Sequence, residues 1–218
     1  WRASTGEVRF GDIYDGSTID FNLTQVGWNK PGFNDSAWPP VTVRKLDKAV
    51  LQPRNTSPIR VVERFPMKLT PQSDRTLLDA RQNISGWVEL TVEGKKGQTV
   101  VIRHAEVLEA GDKLHTKALR SAKATDHYTL DRDGRHILTP VFTFHGFRFA
   151  DVMTDAEVIS GVGIAISSDT SKRGHFVSSD TRLNRLHENV VWSQRDNFVG
   201  VPTDCPQRDE RLGWTGDA

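Results

Sequence analysis

Fifteen residues near the end of the chain hold most of its reactive chemistry. Thr203-Asp204-Cys205-Pro206-Gln207-Arg208-Asp209-Glu210-Arg211-Leu212-Gly213-Trp214-Thr215-Gly216-Asp217 contains four carboxylates, two arginines and a tryptophan. Cleavage of a glycosidic bond needs such a set. One carboxylic acid must hold its proton and pass it to the leaving oxygen, and a second group must deal with the nucleophile. Hydroxyl partners and an aromatic face must hold the ring. The segment offers an acid, several hydroxyl partners and one ring. A solvated helix start, with Asp and Glu near the positive end of the dipole and paired to Arg208 and Arg211, accounts for the same residues equally well. Pro206 suits the first turn of a helix, and Gly213 and Gly216 then permit a loop, which places the carboxylates at an element's end.

Other chemistry is thinly represented. The histidines at 104, 115, 127, 136, 145, 175 and 187 include no pair at the three-to-five-residue gap by which two imidazoles share a metal, and they read as solvated or sheet histidines. With Cys205 the sole cysteine, an internal disulfide and Cys-rich zinc patterns are excluded. Gly161-Val162-Gly163 lacks the third glycine and the flanking strand and helix of a dinucleotide site. No cofactor and no metal is expected. Lysine plus arginine (29) nearly balance aspartate plus glutamate (28), and no block of like charge occurs, so neither nucleic acid nor an anionic membrane is an expected partner. No apolar run reaches the roughly 18 residues of a spanning helix. Trp28, Trp38 and Trp87 could stack on sugar faces, but rings of this kind more often fill a core or pin a turn.

The elements that must position the motif read as mainly β. The first fifty residues mix short apolar runs with turn formers such as Tyr14-Asp15-Gly16, Pro31-Gly32 and Trp38-Pro39-Pro40, the texture of short strands and tight turns. Gln52-Pro53-Arg54-Asn55-Thr56-Ser57-Pro58 is a candidate boundary, because each proline forces its predecessor into extended geometry. Val88, Leu90 and Val92 then alternate with polar residues. A turn at Gly94-Lys95-Lys96-Gly97 returns the chain along Thr99–Arg103. A second set follows in 126–130, the Asp131-Arg132-Asp133-Gly134 turn, and 141–149, where the phenylalanines of Phe147-Arg148-Phe149 should point inward and Arg148 outward. Several strands at short spacing predict an antiparallel β-sandwich. Near residue 179 the period changes. Ser179-Asp180 can cap a helix whose apolar positions are Leu183, Leu186 and Val190, ending before Gly200. Some forty residues of helical domain are too few to bury a core.

The string from Val201 to Arg208, continued through Glu210-Arg211-Leu212-Gly213-Trp214-Thr215-Gly216-Asp217, resembles the signature of the bacterial α-L-rhamnosidases of glycoside hydrolase family 78. Ile13-Tyr14-Asp15-Gly16, the stretch 79–88, His104-Ala105-Glu106-Val107-Leu108 and the stretch 144–149 extend the resemblance over essentially the whole chain. It implies three parts: residues 1–52, the C-terminal part of an N-terminal β-sandwich; 53–166, a second β-sandwich; and 167–218, the start of a truncated (α/α)6 barrel. Both ends of the chain look cut, and the compartment is left open. It further implies that Glu210 is the general acid, with Asp204 and Asp217 nearby to keep it protonated by like-charge repulsion. Asp204, Arg208 and Asp217 would bind rhamnose hydroxyls, Trp214 would line the sugar subsite, and Asp209 has no implied role. Family members invert at the anomeric carbon, so a second carboxylate must stand roughly 6.5–9.5 Å away across the sugar. That glutamate is expected further along the barrel. The implied partners are a rhamnose-containing glycoside and the remainder of the catalytic domain. A carbohydrate-binding sandwich without catalysis and a purely structural β-module are the competing readings, and Glu210 within an intact motif favours the enzyme.

Overall fold

The structure, a computed structural model, describes residues 1–168, 170 and 173–214. Its strands are β1 (Val8–Asp12), β2 (Gly16–Asp20), β3 (Ile59–Pro66), β4 (Lys68–Pro71), β5 (Thr76–Gly94), β6 (Thr99–Ala105), β7 (Leu108–Glu109) and β8 (Lys113–Leu114). Then come β9 (Thr125–Thr129), β10 (Gly134–Leu138), β11 (His145–Thr154), β12 (Glu157–Ser168), helix α1 (Thr181–Asn197), β13 (Phe198–Val199) and β14 (Val201–Pro202). The molecule is mainly β, as the alternation of apolar and polar residues predicts.

Ten strands form one curled sheet in the order β1-β2-β9-β6-β11-β5-β12-β3, with β4 and β10 also paired to β5. Strand β5 makes the curl possible. Its first part pairs with β4 and β11, and its second part with β12 and β10. Between the two, Arg81 takes a left-handed φ of 61°, and a Cβ on Gly86 would lie 1.7 Å from the Ile164 carbonyl oxygen. Only glycine lets β12 approach there. The enclosed core includes Leu78, Ile84, Leu90, Ile102, Tyr128, Leu130, Leu138 and Phe147, each nearly or wholly buried. Each such aliphatic or phenylalanine side chain stabilises the fold by roughly 1.5–3 kcal/mol relative to exposure.

Val88, Leu90 and Val92 are buried as predicted, but the hairpins are not those that sequence proximity suggests. The turn at 94–97 exists, yet β5 and β6 do not pair; β11 lies between them. Likewise β9 and β10 join different neighbours, β6 and β5. Short turns here connect strands across the core rather than along one ladder, which buries both apolar faces. Phe147 is fully buried, whereas Arg148 pairs with Asp79 at 2.9 Å and lies 4.7 Å over the Phe149 ring at a bulge in the ladder.

Of the first fifty residues only β1 and β2 are strands, and β2 pairs in parallel with β9. From Phe21 to Pro58 the chain is turns and 3-10 helix, tied by an isolated bridge between Arg2 and Pro40. Pro31, Pro39, Pro40, Pro53 and Pro58 remove ladder donors through this stretch.

Helix α1 begins as predicted, with the Asp180 side chain accepting from Arg182 N at 2.9 Å. Its apolar positions do not. Leu183, Leu186 and Val190 are 47%, 59% and 58% exposed. The face that docks on the sheet carries Trp192, edge-on to Phe65 at 5.5 Å, and Asp196, which is buried. Two residues beyond Val190 the helix has turned roughly 200°, so the two faces are nearly opposite.

Candidate active site

Residues 203–214 form no helix at Pro206; they make an irregular loop. Long-range bonds replace the local ones a helix would have made. Thr203 N donates to Asn197 O at 2.8 Å, Tyr14 Oη to Glu210 O at 3.0 Å, and Arg211 Nη1 to Phe144 O at 3.1 Å. Arg211, at a left-handed φ of 69°, sends its guanidinium 4.4 Å from the Phe144 ring and 5.4 Å from the Tyr14 ring. Burial between them pulls the Arg211 guanidinium down to about 10. Rings from the β1–β2 turn and from the approach to β11 thus pin the loop to the sheet.

Gly146, in β11, is the floor under the loop. A Cβ there would lie 2.7 Å from Pro206 Cγ and 2.9 Å from Gln207 N. Gly146→Ala is therefore expected to lift 206–211 from the sheet, at a cost of about 1–3 kcal/mol. Thermal unfolding, with proteolysis after Arg208 and Arg211, measures both effects, and an unchanged midpoint and cleavage rate would refute the packing.

The loop's charged groups meet around one guanidinium. Arg208 Nη2 lies 2.8 Å from Asp204 Oδ2 and 2.9 Å from Glu210 Oε2. Arg120 Nη1 reaches the same Oε2 at 2.7 Å. Burial pushes the Asp204 carboxyl up, but the Cys205 thiol and Arg208 more than offset this, so it sits below the ordinary carboxylate range. Burial beside Asp204 pushes the Cys205 thiol up to about 12, so it is inert as a nucleophile. For Asp204 the expected surroundings of Glu210 are corrected: among the described residues the ion-pair partners of Glu210 are guanidiniums, and Arg208 stands between it and Asp204. Asp209 accepts from the Ser121 hydroxyl and from Ser121 N at 3.3 Å, and the hydroxyl bond holds its carboxyl below the usual range. Trp214 is 49% exposed. Asp217 lies outside the described residues.

Asp204, Arg208 and Glu210 are thus brought together. Tyr14, Arg120, Ser121 and Phe144 complete the arrangement and were missed as site residues, since they come from loops 67 to 196 positions away. Tyr14 and Phe144 lie in stretches that carry the family resemblance, a signal that could have marked them; nothing comparable marked Arg120.

On the far side of Asp204 a polar cleft of about 360 Å³ opens between β5, α1 and the loop, lined by Asn83, Glu106, Trp192, Asp196, Asp204 and Gln207 among others. Asn83 Oδ1, Asn197 Oδ1, Asp204 Oδ1 and Gln207 Oε1 are buried acceptors with no partner among the described residues. Burial raises Glu106 despite a 2.9 Å bond from Asn83. Burial also raises the Asp196 carboxyl to about 7, although Asp196 accepts from Ser85 N at 3.0 Å. Spare acceptors beside a tryptophan suit a ligand rich in hydroxyl donors.

Three histidines are not solvated. His104 and His145 are wholly buried and His136 nearly so. The sheet brings His104, His145 and Asp126 within 4.8 Å, a proximity that spacing along the chain cannot reveal. The two rings stack with centroids 4.1 Å apart and 21° between planes. Ring-nitrogen lone pairs lie in the ring plane, so two nearly parallel planes do not converge on one ion. His104 Nδ1 donates to Ala124 O at 2.9 Å, and His145 Nε2 lies 3.1 Å from Asp126 Oδ2, whose partner oxygen accepts from Ser17 N and Oγ. This is a buried network joining β2, β6, β9 and β11. Burial drives His104 down to about 3, so its ring is neutral.

Comparison with known proteins agrees along the whole chain. Residues 1–63 match the alpha-L-rhamnosidase N-terminal domain, 69–163 the bacterial alpha-L-rhamnosidase concanavalin-like domain, and 171–218 the bacterial alpha-L-rhamnosidase 6 hairpin glycosidase domain. An alpha-L-rhamnosidase of Alteromonas sp. is 39% identical over all of this chain and 25% of its own length. The solved structure of Streptomyces avermitilis alpha-L-rhamnosidase complexed with L-rhamnose superposes with a TM-score of 0.91 at 41% identity, covering 100% of this chain and 22% of that one. The native enzyme from Aspergillus terreus gives 0.90 at 41% identity, covering 100% and 26%. The chain spans about a quarter of the length of the curated relatives it matches.

Proposed function

The chain belongs to the bacterial α-L-rhamnosidase family, and on that premise we propose that it supplies the general acid and part of the sugar subsite of an inverting α-L-rhamnosidase. The substrate is terminal non-reducing α-L-rhamnose on a glycoside or polysaccharide. Glu210 protonates the glycosidic oxygen, Asp204, Arg208 and Asp217 bind sugar hydroxyls, and Trp214 lines the subsite. The observation that carries this reading is the junction at Arg208, which holds Asp204 and Glu210 in one group through a hydrogen bond of 2.8 Å to Asp204 and an ion pair of 2.9 Å with Glu210. The unpartnered Asp204 Oδ1 supports a hydroxyl-binding role for that residue. The division into residues 1–52, 53–166 and 167–218 is retained within the proposal, with β1 and β2 lending their edge to the sheet of the second part.

Inversion requires a base on the opposite face of the sugar, and we place it in the remainder of the six-hairpin domain, whose helices would also cover Leu183, Leu186 and Val190. The full-length polypeptide is expected to hydrolyse an aryl α-L-rhamnoside and to release the β-anomer first, read by proton NMR, while the 218-residue chain alone stays near background. Turnover by the isolated chain at enzymatic rates would overturn the missing-base reading, and first release of the α-anomer would overturn inversion.

A further inference from the structure

We propose that Arg120, carried by the β-sheet domain, is a positioning residue for Glu210: it fixes one carboxyl oxygen so that the other bears the proton. The inference rests on the reading of Glu210 as the general acid.

Three contacts converge on residues 209–210 from two loops of the sheet domain. Arg120 follows the short 3-10 turn Lys117–Leu119, and its backbone adopts φ 56° and ψ −116°, a conformation strained for a non-glycine residue. Leu119, Ala122 and Ala124, all buried in a small cluster against Tyr14, hold the loop in that shape. With its neighbours anchored, Arg120 stands half in solvent and reaches Glu210 Oε2 at 2.7 Å. Ser121 binds Asp209 through its hydroxyl and its N–H. Tyr14, from the same cluster, donates its hydroxyl to the Glu210 carbonyl at 3.0 Å. The side chain, the backbone and the preceding residue of the acid are therefore each gripped by the sheet domain.

Arg120 donates to Oε2, Arg208 Nη2 forms an ion pair with the same oxygen at 2.9 Å, and Oε1 makes no hydrogen bond among the described residues. An oxygen that accepts from one guanidinium and is ion-paired to a second is the oxygen that keeps the negative charge, so the acid form of Glu210 has its proton on Oε1. As the glycosidic bond breaks, its electron pair moves onto the leaving oxygen, which takes the Oε1 proton and departs as an alcohol. Glu210 is left as a carboxylate. The guanidiniums already stand where that negative charge develops, so they stabilise the transition state without reorganisation. Among the described residues, the charged groups facing Glu210 are Arg120 from the sheet domain and Arg208 from the loop, with Asp204 behind Arg208; Asp209 and Arg211 flank it in sequence, turned to Ser121 and to Phe144.

The test uses the full-length polypeptide and a series of α-L-rhamnosides whose leaving groups range from 4-nitrophenol to simple alcohols. Poor leaving groups need the proton most. Arg120→Met is expected to lower kcat about tenfold or more on the alkyl rhamnosides, only a few-fold on the 4-nitrophenyl substrate, and to leave KM nearly unchanged. Arg120→Lys should recover part of the loss. Glu210→Gln, run alongside, should show the same leaving-group dependence in stronger form. A uniform loss on every substrate, or none, in Arg120→Met, with an unshifted thermal midpoint and the dependence intact in Glu210→Gln, overturns the inference alone. Absence of the dependence in Glu210→Gln removes the acid assignment and the inference with it.

Discussion

Glu210→Gln in the full-length polypeptide is expected to cut kcat on unactivated rhamnosides by about 100- to 10,000-fold while rhamnose still binds. Glutamine keeps the side chain's shape, and its amide oxygen can still accept from Arg120, although the ion pair with Arg208 is lost. The sugar contacts proposed for Asp204 and Arg208 are untouched in this variant. What disappears is the transferable proton. The amide cannot give one up to the leaving oxygen, and among the described residues no other carboxyl of the loop is free to substitute, since Asp204 is tied to Arg208 and Asp209 to Ser121. Steady-state kinetics with calorimetric titration of rhamnose separates the two effects. Retained turnover would show that Glu210 is not the acid, whereas lost binding would show that its charge mainly holds the loop.

The second large effect concerns stability against pH, where two buried groups act in opposite directions over one window. His104, about 3 in the fold against 6.5 ordinarily, is neutral in the core. Below 6.5 the unfolded chain binds a proton that the fold refuses, so this contribution is complete above 6.5 and is lost as pH falls toward 3. Asp196, about 7 against 3.8, behaves oppositely. Its contribution is complete below 3.8 and is lost as pH rises toward 7, because the unfolded chain ionises first. Glu106 and Asp151 are also raised by burial and add to the sense of Asp196. Each of the two large shifts amounts to about 3–4 kcal/mol between pH 7 and 4. They nearly cancel, and the unsubstituted protein should show stability almost level across that range.

Asp196→Asn keeps an oxygen for Ser85 N and removes one side of the balance. Its stability should fall by about 3 kcal/mol from pH 7 to pH 4. His104→Gln should do the reverse, less stable at neutral pH but gaining on acidification. Denaturant unfolding at pH 7, 5.5 and 4 reads both slopes. Parallel curves for all three proteins would remove the account. Below about pH 4 the lowered carboxylates Asp79, Asp126 and Asp204 take over, each losing its stabilising charge as it protonates.

Much of this protein was legible in its sequence for local reasons. The period-two alternation at Val88, Leu90 and Val92 reports a strand because a pleat turns successive side chains to opposite faces. Asp180 reports a helix start because a short carboxylate satisfies an orphan N–H. The string from Thr203 to Asp217 marks a site because its chemistry is dense and consecutive, and family membership was legible there. Where tertiary structure overrode such signals, long-range partners outcompeted local ones. Pro206 starts no helix since Gly146, Tyr14 and Phe144 hold the loop. The strands flanking the 94–97 turn do not pair, since β11 offers β6 and β5 a fuller ladder on opposite sides. The stripe at Leu183, Leu186 and Val190 is real but faces away from the sheet.

By itself the sequence determined the mainly β character, through alternation whose spacing constrains geometry, and its family resemblance over the string from Val201 to Asp217 carried membership and the identity of the candidate acid. Only the folded chain decided the acid's company. Arg120, 90 positions from Glu210, meets it through a loop whose shape depends on buried Leu119 and Ala124. His104 and His145, 41 residues apart in the numbering, become stacked neighbours although the ladders set them opposite Ala150 and Gly86, so no strand register by itself joins them. Charge, hydrogen bonding and desolvation act over a few ångströms in space, and one-dimensional spacing does not encode which distant loops the curl of a sheet will bring within that range.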